Sequence, residues 1–256
     1  MTENELVRLA VEDGIATITL DSPDNRNAIS RRLRSELTGH LAAAAADETV
    51  RAIVLTHTGT VFCAGADLSE AKTEGMQEGT GNLLALLRQI VELPKPVVAQ
   101  VRGAVRAGGA GIVGACDIAV VAEPVTFAFT EARLGLAAAV ISLPLLPRLD
   151  PRAAGRYFLT GETFDAHEAV RIGLVTRAVA ERGLDGAVKE IVEALRAASP
   201  QGLAASKRLV TRQVLREFDE QGPAMVELSA QLFASEEARE GIRSFLEHRS
   251  PRWGGR

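Results

Sequence analysis

The chain has 256 residues, 46% hydrophobic and 24% charged, which suits a globular protein with one large core or a core and an appendage. A net charge of −4 argues against a general nucleic-acid binder, which needs a strong basic excess. Two cysteines, Cys63 and Cys116, with no C-x-x-C or His-rich spacing, favour neither a disulfide framework nor a metal site, although a single Cys63–Cys116 pairing stays open.

In chain order, the acidic start Met1-Thr2-Glu3-Asn4-Glu5 lacks the basic and apolar regions of a signal peptide, and charges interrupt every apolar run before it reaches membrane length. A cytoplasmic protein is therefore expected. Leu6 to Ala10 and Ile15 to Leu20 predict two strands joined at Asp13-Gly14, a good hairpin dipeptide. Ser30 is placed to cap a helix on which Leu33, Leu37 and Leu41 recur every fourth residue. A strand at 52–56, a helix from Leu83 to Val91, a strand at 97–101 and a strand from Ile118 to Ala122 follow. This alternation predicts an α/β fold with a parallel sheet. Beyond Phe129 the pattern turns helical, with Asp150-Pro151 as cap and first helical residue, one late strand from Leu174 to Val179, and helices over Val188–Ala198 and Leu203–Leu215. Pro200 and Gly202 mark an expected boundary between a core at 1–199 and a helical region at 200–256. That region is too short to bury much surface alone, so oligomerisation is expected.

Two small-residue turns carry the chemistry. Phe62-Cys63-Ala64-Gly65-Ala66-Asp67-Leu68 follows strand 52–56, and Arg106-Ala107-Gly108-Gly109-Ala110-Gly111 follows strand 97–101. Such turns can aim free backbone N–H groups at one point, as an oxyanion hole requires. Glu131 lies downstream among Phe127, Phe129, Leu134 and Leu136, so its carboxylate is expected beside a dry pocket that raises its pKa. Two donors and one carboxylate point to acyl-group chemistry through an enolate. The run from Gly109 to Gly114 also matches G-x-G-x-x-G, but it lies too far beyond strand 97–101, with too little helix before Asp117, for a dinucleotide site. Cys63 reads as a packed small hydrophobe, Ser142 has no nucleophile elbow, and His40, His57 and His167 read as surface or capping residues.

Further segments bring a resemblance into view. Asn27-Ala28, Ala64 to Leu68, Lys95 to Ala99, Cys116-Asp117-Ile118, Phe164 to Ala169 with Gly173-Leu174-Val175, and Phe245 to Pro251 together resemble the crotonase (enoyl-CoA hydratase/isomerase) superfamily over nearly the whole chain. The resemblance implies a spiral of ββα units with a helical C-terminal trimerisation region, assembled as a trimer or a dimer of trimers. It implies an acyl-CoA thioester substrate, with coenzyme A as part of the substrate and no separate cofactor. The thioester carbonyl would meet the N–H groups of Ala66 and Gly108, helped by the dipole of a helix from Gly109. Asn27, Ala28, Ala64, Asp67 and Leu68 would lie along the coenzyme A groove. Phe245 and His248 or Arg249 would approach its nucleotide, from the same or an adjacent subunit.

By the same resemblance, Glu131 matches one family glutamate, while Gly111 stands where hydratases commonly carry a second. Ala107 replaces a glycine, and Ala137 to Ser142 replaces a glycine-bearing segment. Three functions fit: a hydratase resembling methylglutaconyl-type relatives, a Δ3,Δ2-enoyl-CoA isomerase needing one base, and a non-catalytic acyl-CoA binding protein. Arg106, with Arg133 as rival, is a candidate partner for a carboxylated acyl chain.

Overall fold

The computed structural model describes residues 5–70 and 76–254. Strands β1 (Val7–Glu12) and β2 (Ile15–Leu20) form the expected hairpin, turning at Asp13 and Gly14, both at positive φ. Helix α1 (Arg31–Ala46) starts where Ser30 accepts a hydrogen bond from the Leu33 N–H. Leu33, Leu37 and Leu41 are fully buried, each contributing about 1.5–3 kcal/mol.

Three strand–strand units follow. In each, a strand of a large sheet continues into a short strand of a small sheet: β3 (Ala52–His57) into β4 (Val61–Cys63), β5 (Val97–Val101) into β6 (Ala104–Arg106), and β7 (Ile118–Ala122) into β8 (Thr126–Ala128). Helix α2 (Met76–Glu92) follows the first unit and α3 (Gly108–Ala115) the second. After the third come a 3-10 turn (Glu131–Leu134) and α4 (Ala139–Leu145). The ββα winding implied by the sequence is thus present. Strands β3, β5 and β7 run parallel inside the large sheet and are apolar almost throughout, as strands covered on both faces must be.

Helix α5 (Pro151–Thr160) is capped by Asp150, whose carboxylate accepts from the Ala153 N–H. Then come β9 (Phe164–Asp165), α6 (Ala166–Arg171), β10 (Arg177–Val179) and α7 (Leu184–Ala197). The large sheet has the order β1-β2-β3-β5-β7-β10, and the small one β4-β6-β8-β9. The late strand is shorter than expected, because Leu174 and Val175 are buried in the turn before it. Helix α8 is one continuous element, Pro200–Phe233, and α9 spans Glu236–Leu246. The expected boundary at Pro200 and Gly202 is the start of α8, where Ser199 accepts from the Gly202 N–H.

Packing of α8 on α2 and α4 is locked by Lys207. Its ammonium donates to the carbonyls of Ile90 (2.9 Å) and Lys95 (3.0 Å) and pairs with Asp117 at 2.7 Å. Asp117 also accepts from the Val97 N–H, so one buried pair ties α8, the end of α2 and the start of β5 and β7 together. Among the described residues no helix is long and apolar enough to cross a membrane.

His57, expected as a surface or capping residue, is not at the surface. It is buried against Phe62, its Nε2 accepting from the Arg102 N–H while Nδ1 faces the Thr58 carbonyl. Burial holds its pKa below the ordinary imidazole value. Both cysteines are free and buried, which excludes the Cys63–Cys116 pairing.

Candidate active site

The two small-residue turns meet. Gly65 has φ +94°, and a Cβ there would lie 2.9 Å from the Ala107 Cβ and 3.6 Å from the Gly108 nitrogen, so only glycine fits. Ala66 forms an isolated parallel bridge with Ile29, made through the Gly65 carbonyl and the Asp67 N–H. In a parallel bridge the middle residue's own N–H faces the other way, so Ala66 N is turned from Ile29. Gly108 is the first residue of α3, where an N–H has no intrahelical acceptor. Among the described residues neither nitrogen donates to a backbone acceptor outside the regular elements.

Helix α3 contains four glycines in eight residues, a poor intrinsic helix that close packing maintains. A Cβ at Gly109 would lie 2.7 Å from the Cys63 Cβ, so this glycine lets the helix start sit on β4. Ala107 caps the helix at φ 47°, ψ −121°, a conformation that side chains rarely adopt. The short β6 ends one residue before α3, closer than the sequence reading supposed. The dinucleotide reading still fails, because α3 leads from the small sheet to β7 of the large one rather than between neighbours of one sheet.

The carboxylate arrives from β8. Arg106 pairs with Ala128 and the Ala107 N–H donates to the Ala128 carbonyl, so the Gly108 turn runs beside the segment that becomes Glu131. The Glu131 residue is partly exposed, yet its Oε2 is buried without a hydrogen-bond partner. Burial pushes its pKa up to about 7, opposed weakly by its own backbone N–H. A carboxyl group so placed can give and take a proton near neutrality.

At Gly111, a Cβ would lie 2.5 Å from Ile141 Cγ2, 3.0 Å from Ile141 Cβ and 3.3 Å from Leu87 Cδ1. Ile141 is β-branched and buried, so it cannot swing aside. Restoring a carboxylate by Gly111→Glu is therefore expected to cost at least about 1–3 kcal/mol of stability and to give no gain in hydration. Urea unfolding of Gly111→Glu and of Gly111→Glu/Ile141→Gly checks this, the second change relieving the clash.

The other expected site residues lie around the first turn, on β6 and near the C-terminus. Asn27 is fully buried, and its side chain is spent on the scaffold: Oδ1 accepts from the Ser22 N–H, and Nδ2 donates to the Thr58 and Val61 carbonyls. Ala28 is buried next to it, and Ala64 donates its N–H to the Arg26 carbonyl, so both belong to the wall under the first turn. Asp67 accepts from the Ser69 N–H and hydroxyl, and Leu68 is half-buried. Phe245 is half exposed and His248 lies at the surface, and among the described residues neither hydrogen-bonds to the two turns or stacks on a ring there. Arg106 reaches back along β6 to donate to the Val105 carbonyl and to the carbonyl and hydroxyl of Thr126, at the opposite end of β8 from Glu131. Arg133 donates to the Thr160 carbonyl. The structure brings neither guanidinium to the Glu131 carboxyl.

Comparison with known proteins decides the family. The enoyl-CoA hydratase/isomerase model matches residues 10–256. The chain belongs to the enoyl-CoA hydratase/isomerase family. An enoyl-CoA hydratase structure from Mycobacterium avium is similar at 50% identity and TM-score 0.92, covering 98% of this chain and 100% of that one. A Thermus thermophilus protein named provisionally as an enoyl-CoA hydratase is 36% identical over 95% of this chain and 99% of its own. The 1,2-epoxyphenylacetyl-CoA isomerase of Escherichia coli is 28% identical over 98% and 99%. The protein is an enzyme of this hydratase or isomerase type, with the crotonase α/β fold.

Proposed function

We propose that the Ala66 and Gly108 N–H groups hold the thioester carbonyl of an enoyl-CoA while Glu131 moves a proton at the acyl chain. The carrying observation is the buried Glu131 Oε2, which has no hydrogen-bond partner, on the segment that runs beside the Gly108 turn, together with the Ala66 and Gly108 N–H groups, which among the described residues donate to no backbone acceptor outside the regular elements. As charge collects on the carbonyl oxygen, each preorganised donor lowers the barrier by about 3–4 kcal/mol, and the α3 dipole adds to the same field. In hydration, the water oxygen bonds to the β carbon, and Glu131 relays the water proton to the α carbon. The relatives named as hydratases support this reading.

A second reading has an observation of its own. Ile141 fills the space beside Gly111, leaving Glu131 without a second carboxylate there to share the handling of water. One base suffices for a 3-enoyl to 2-enoyl shift, in which Glu131 removes a proton from C2 and returns it to C4. Purified protein assayed with crotonyl-, 3-methylcrotonyl-, 3-methylglutaconyl- and 3-enoyl-CoA, following the conjugated thioester by absorbance, separates the readings. Loss of conjugation supports hydration, gain of conjugation supports isomerisation, and tight binding without turnover supports a carrier. A methylglutaconyl-type substrate is the finer form of the hydratase reading, and the engaged Arg106 lends it no support. Arg106→Leu is accordingly expected to change kcat/KM for carboxylated and neutral thioesters alike. A loss of about 2–3 kcal/mol confined to the carboxylated one would restore Arg106 to the acyl pocket. The trimer or dimer of trimers belongs to the same proposal, supported by Leu209 and Val210 standing exposed on α8.

A further inference from the structure

Glu131 sits on a short turn that packs against two helices, α5 and α9. On the α5 side, Arg133 fastens to the Thr160 carbonyl at 2.9 Å, and Phe129 packs on Phe158 with ring centroids 4.6 Å apart. On the α9 side the approach is closer and has no side chains in it. A Cβ at Gly241 would lie 2.5 Å from the Leu134 carbonyl carbon and 2.7 Å from its Cα. Reciprocally, a Cβ at Gly135, which has φ +71°, would lie 2.7 Å from the Glu237 carbonyl carbon and 2.9 Å from the Ala238 nitrogen. Ala238, Gly241 and Ser244, spaced every three residues, form the buried face of α9 that makes this seam. Backbone thus rests on backbone, the stiffest contact available, because no rotamer change can absorb a displacement.

Glu131 opens the same four-residue turn that Leu134 closes, and the Leu136 N–H returns to the Glu131 carbonyl at 3.0 Å, so the turn moves as a unit. We propose that the Gly135–Gly241 seam positions the Glu131 carboxyl, making Gly241 a positioning residue that lies outside the pocket and acts through α9. The inference rests on the proton-transfer role of Glu131 given above. It assigns the C-terminal helix of the same chain a positioning role in catalysis.

Gly241→Ala tests it on whichever thioester the parent turns over best. A shift of the turn of about 1 Å is enough to cost up to about 10²-fold in rate. The expected result is a fall in kcat of at least about tenfold with KM within about twofold. Gly241→Ala/Glu131→Gln is expected to be no slower than Glu131→Gln alone, since the seam acts only through that carboxyl. Losses that multiply in the double variant, or an unchanged kcat for Gly241→Ala, overturn the seam. Full activity of Glu131→Gln instead overturns the role of Glu131, so the two failures are told apart. If Gly241→Ala does not fold, Ala238→Gly lowers the helix propensity of α9 beside the seam without adding an atom to it, and the same non-multiplying pattern is required of it.

Discussion

Glu131→Gln is expected to lower kcat at least about 10²-fold while acyl-CoA binding persists. Activity within a few-fold of the parent would remove Glu131 from the chemistry. The pH dependence gives an independent check. The carboxylate is the proton-abstracting form and its pKa is about 7, so kcat/KM of the parent is expected to rise with pH through that value. Stability runs the other way. Folding raises this pKa from 4.5, so the stabilisation is complete below pH 4.5 and is lost as pH rises through about 7. The glutamine carries no charge to desolvate, so Glu131→Gln is expected to be more stable than the parent at pH 8, by about 1–3 kcal/mol. Chemical denaturation at pH 5 and pH 8 measures the difference, and equal stabilities at pH 8 would contradict the burial argument.

The largest loss of stability is expected from Lys207→Met. The side chains of Lys207 and Asp117 are only 4% and 11% exposed, and removing the ammonium leaves a buried carboxylate with one hydrogen bond, from the Val97 N–H, and the charge of Arg148 to offset its burial. Breaking such a pair typically costs about 3–5 kcal/mol. Lys207→Met/Asp117→Asn, which removes both charges, is expected to recover part of that. Thermal melting of the two variants shows it. A Lys207→Met protein within about 1 kcal/mol of the parent would mean that water reaches Asp117 and the lock on α8 is not dry.

Local signals were legible where they were strong. The Asp13-Gly14 hairpin, the Ser30 and Asp150 caps and the apolar strands β3, β5 and β7 could all be read from neighbouring residues. The short strands β4, β6, β8 and β9 could not, since two or three residues carry no periodicity and their pairing partners lie far away in sequence. The two turns and Glu131 stood out because small residues and a carboxylate flanked by phenylalanines have few other uses. Side-chain destinations stayed hidden. Nothing near Asn27 announces that Ser22, Thr58 and Val61 will consume its amide. Arg106 likewise finds Thr126 only through the pairing of β6 with β8. Gly111 was visible as a departure from the family pattern, but the reason it cannot revert, Ile141 on another helix, appears only in three dimensions.

The buried thiols have a practical corollary. Burial pushes both Cys63 and Cys116 up to about 12, so neither is a thiolate at working pH and neither offers a surface to a reagent. The protein is therefore expected to be unreactive toward maleimides without any cysteine having been removed. A single cysteine introduced on the outward face of α9, at the exposed Arg243, would be the sole attachment point for a fluorophore. The behaviour of that helix during turnover could then be followed in a chain otherwise unaltered.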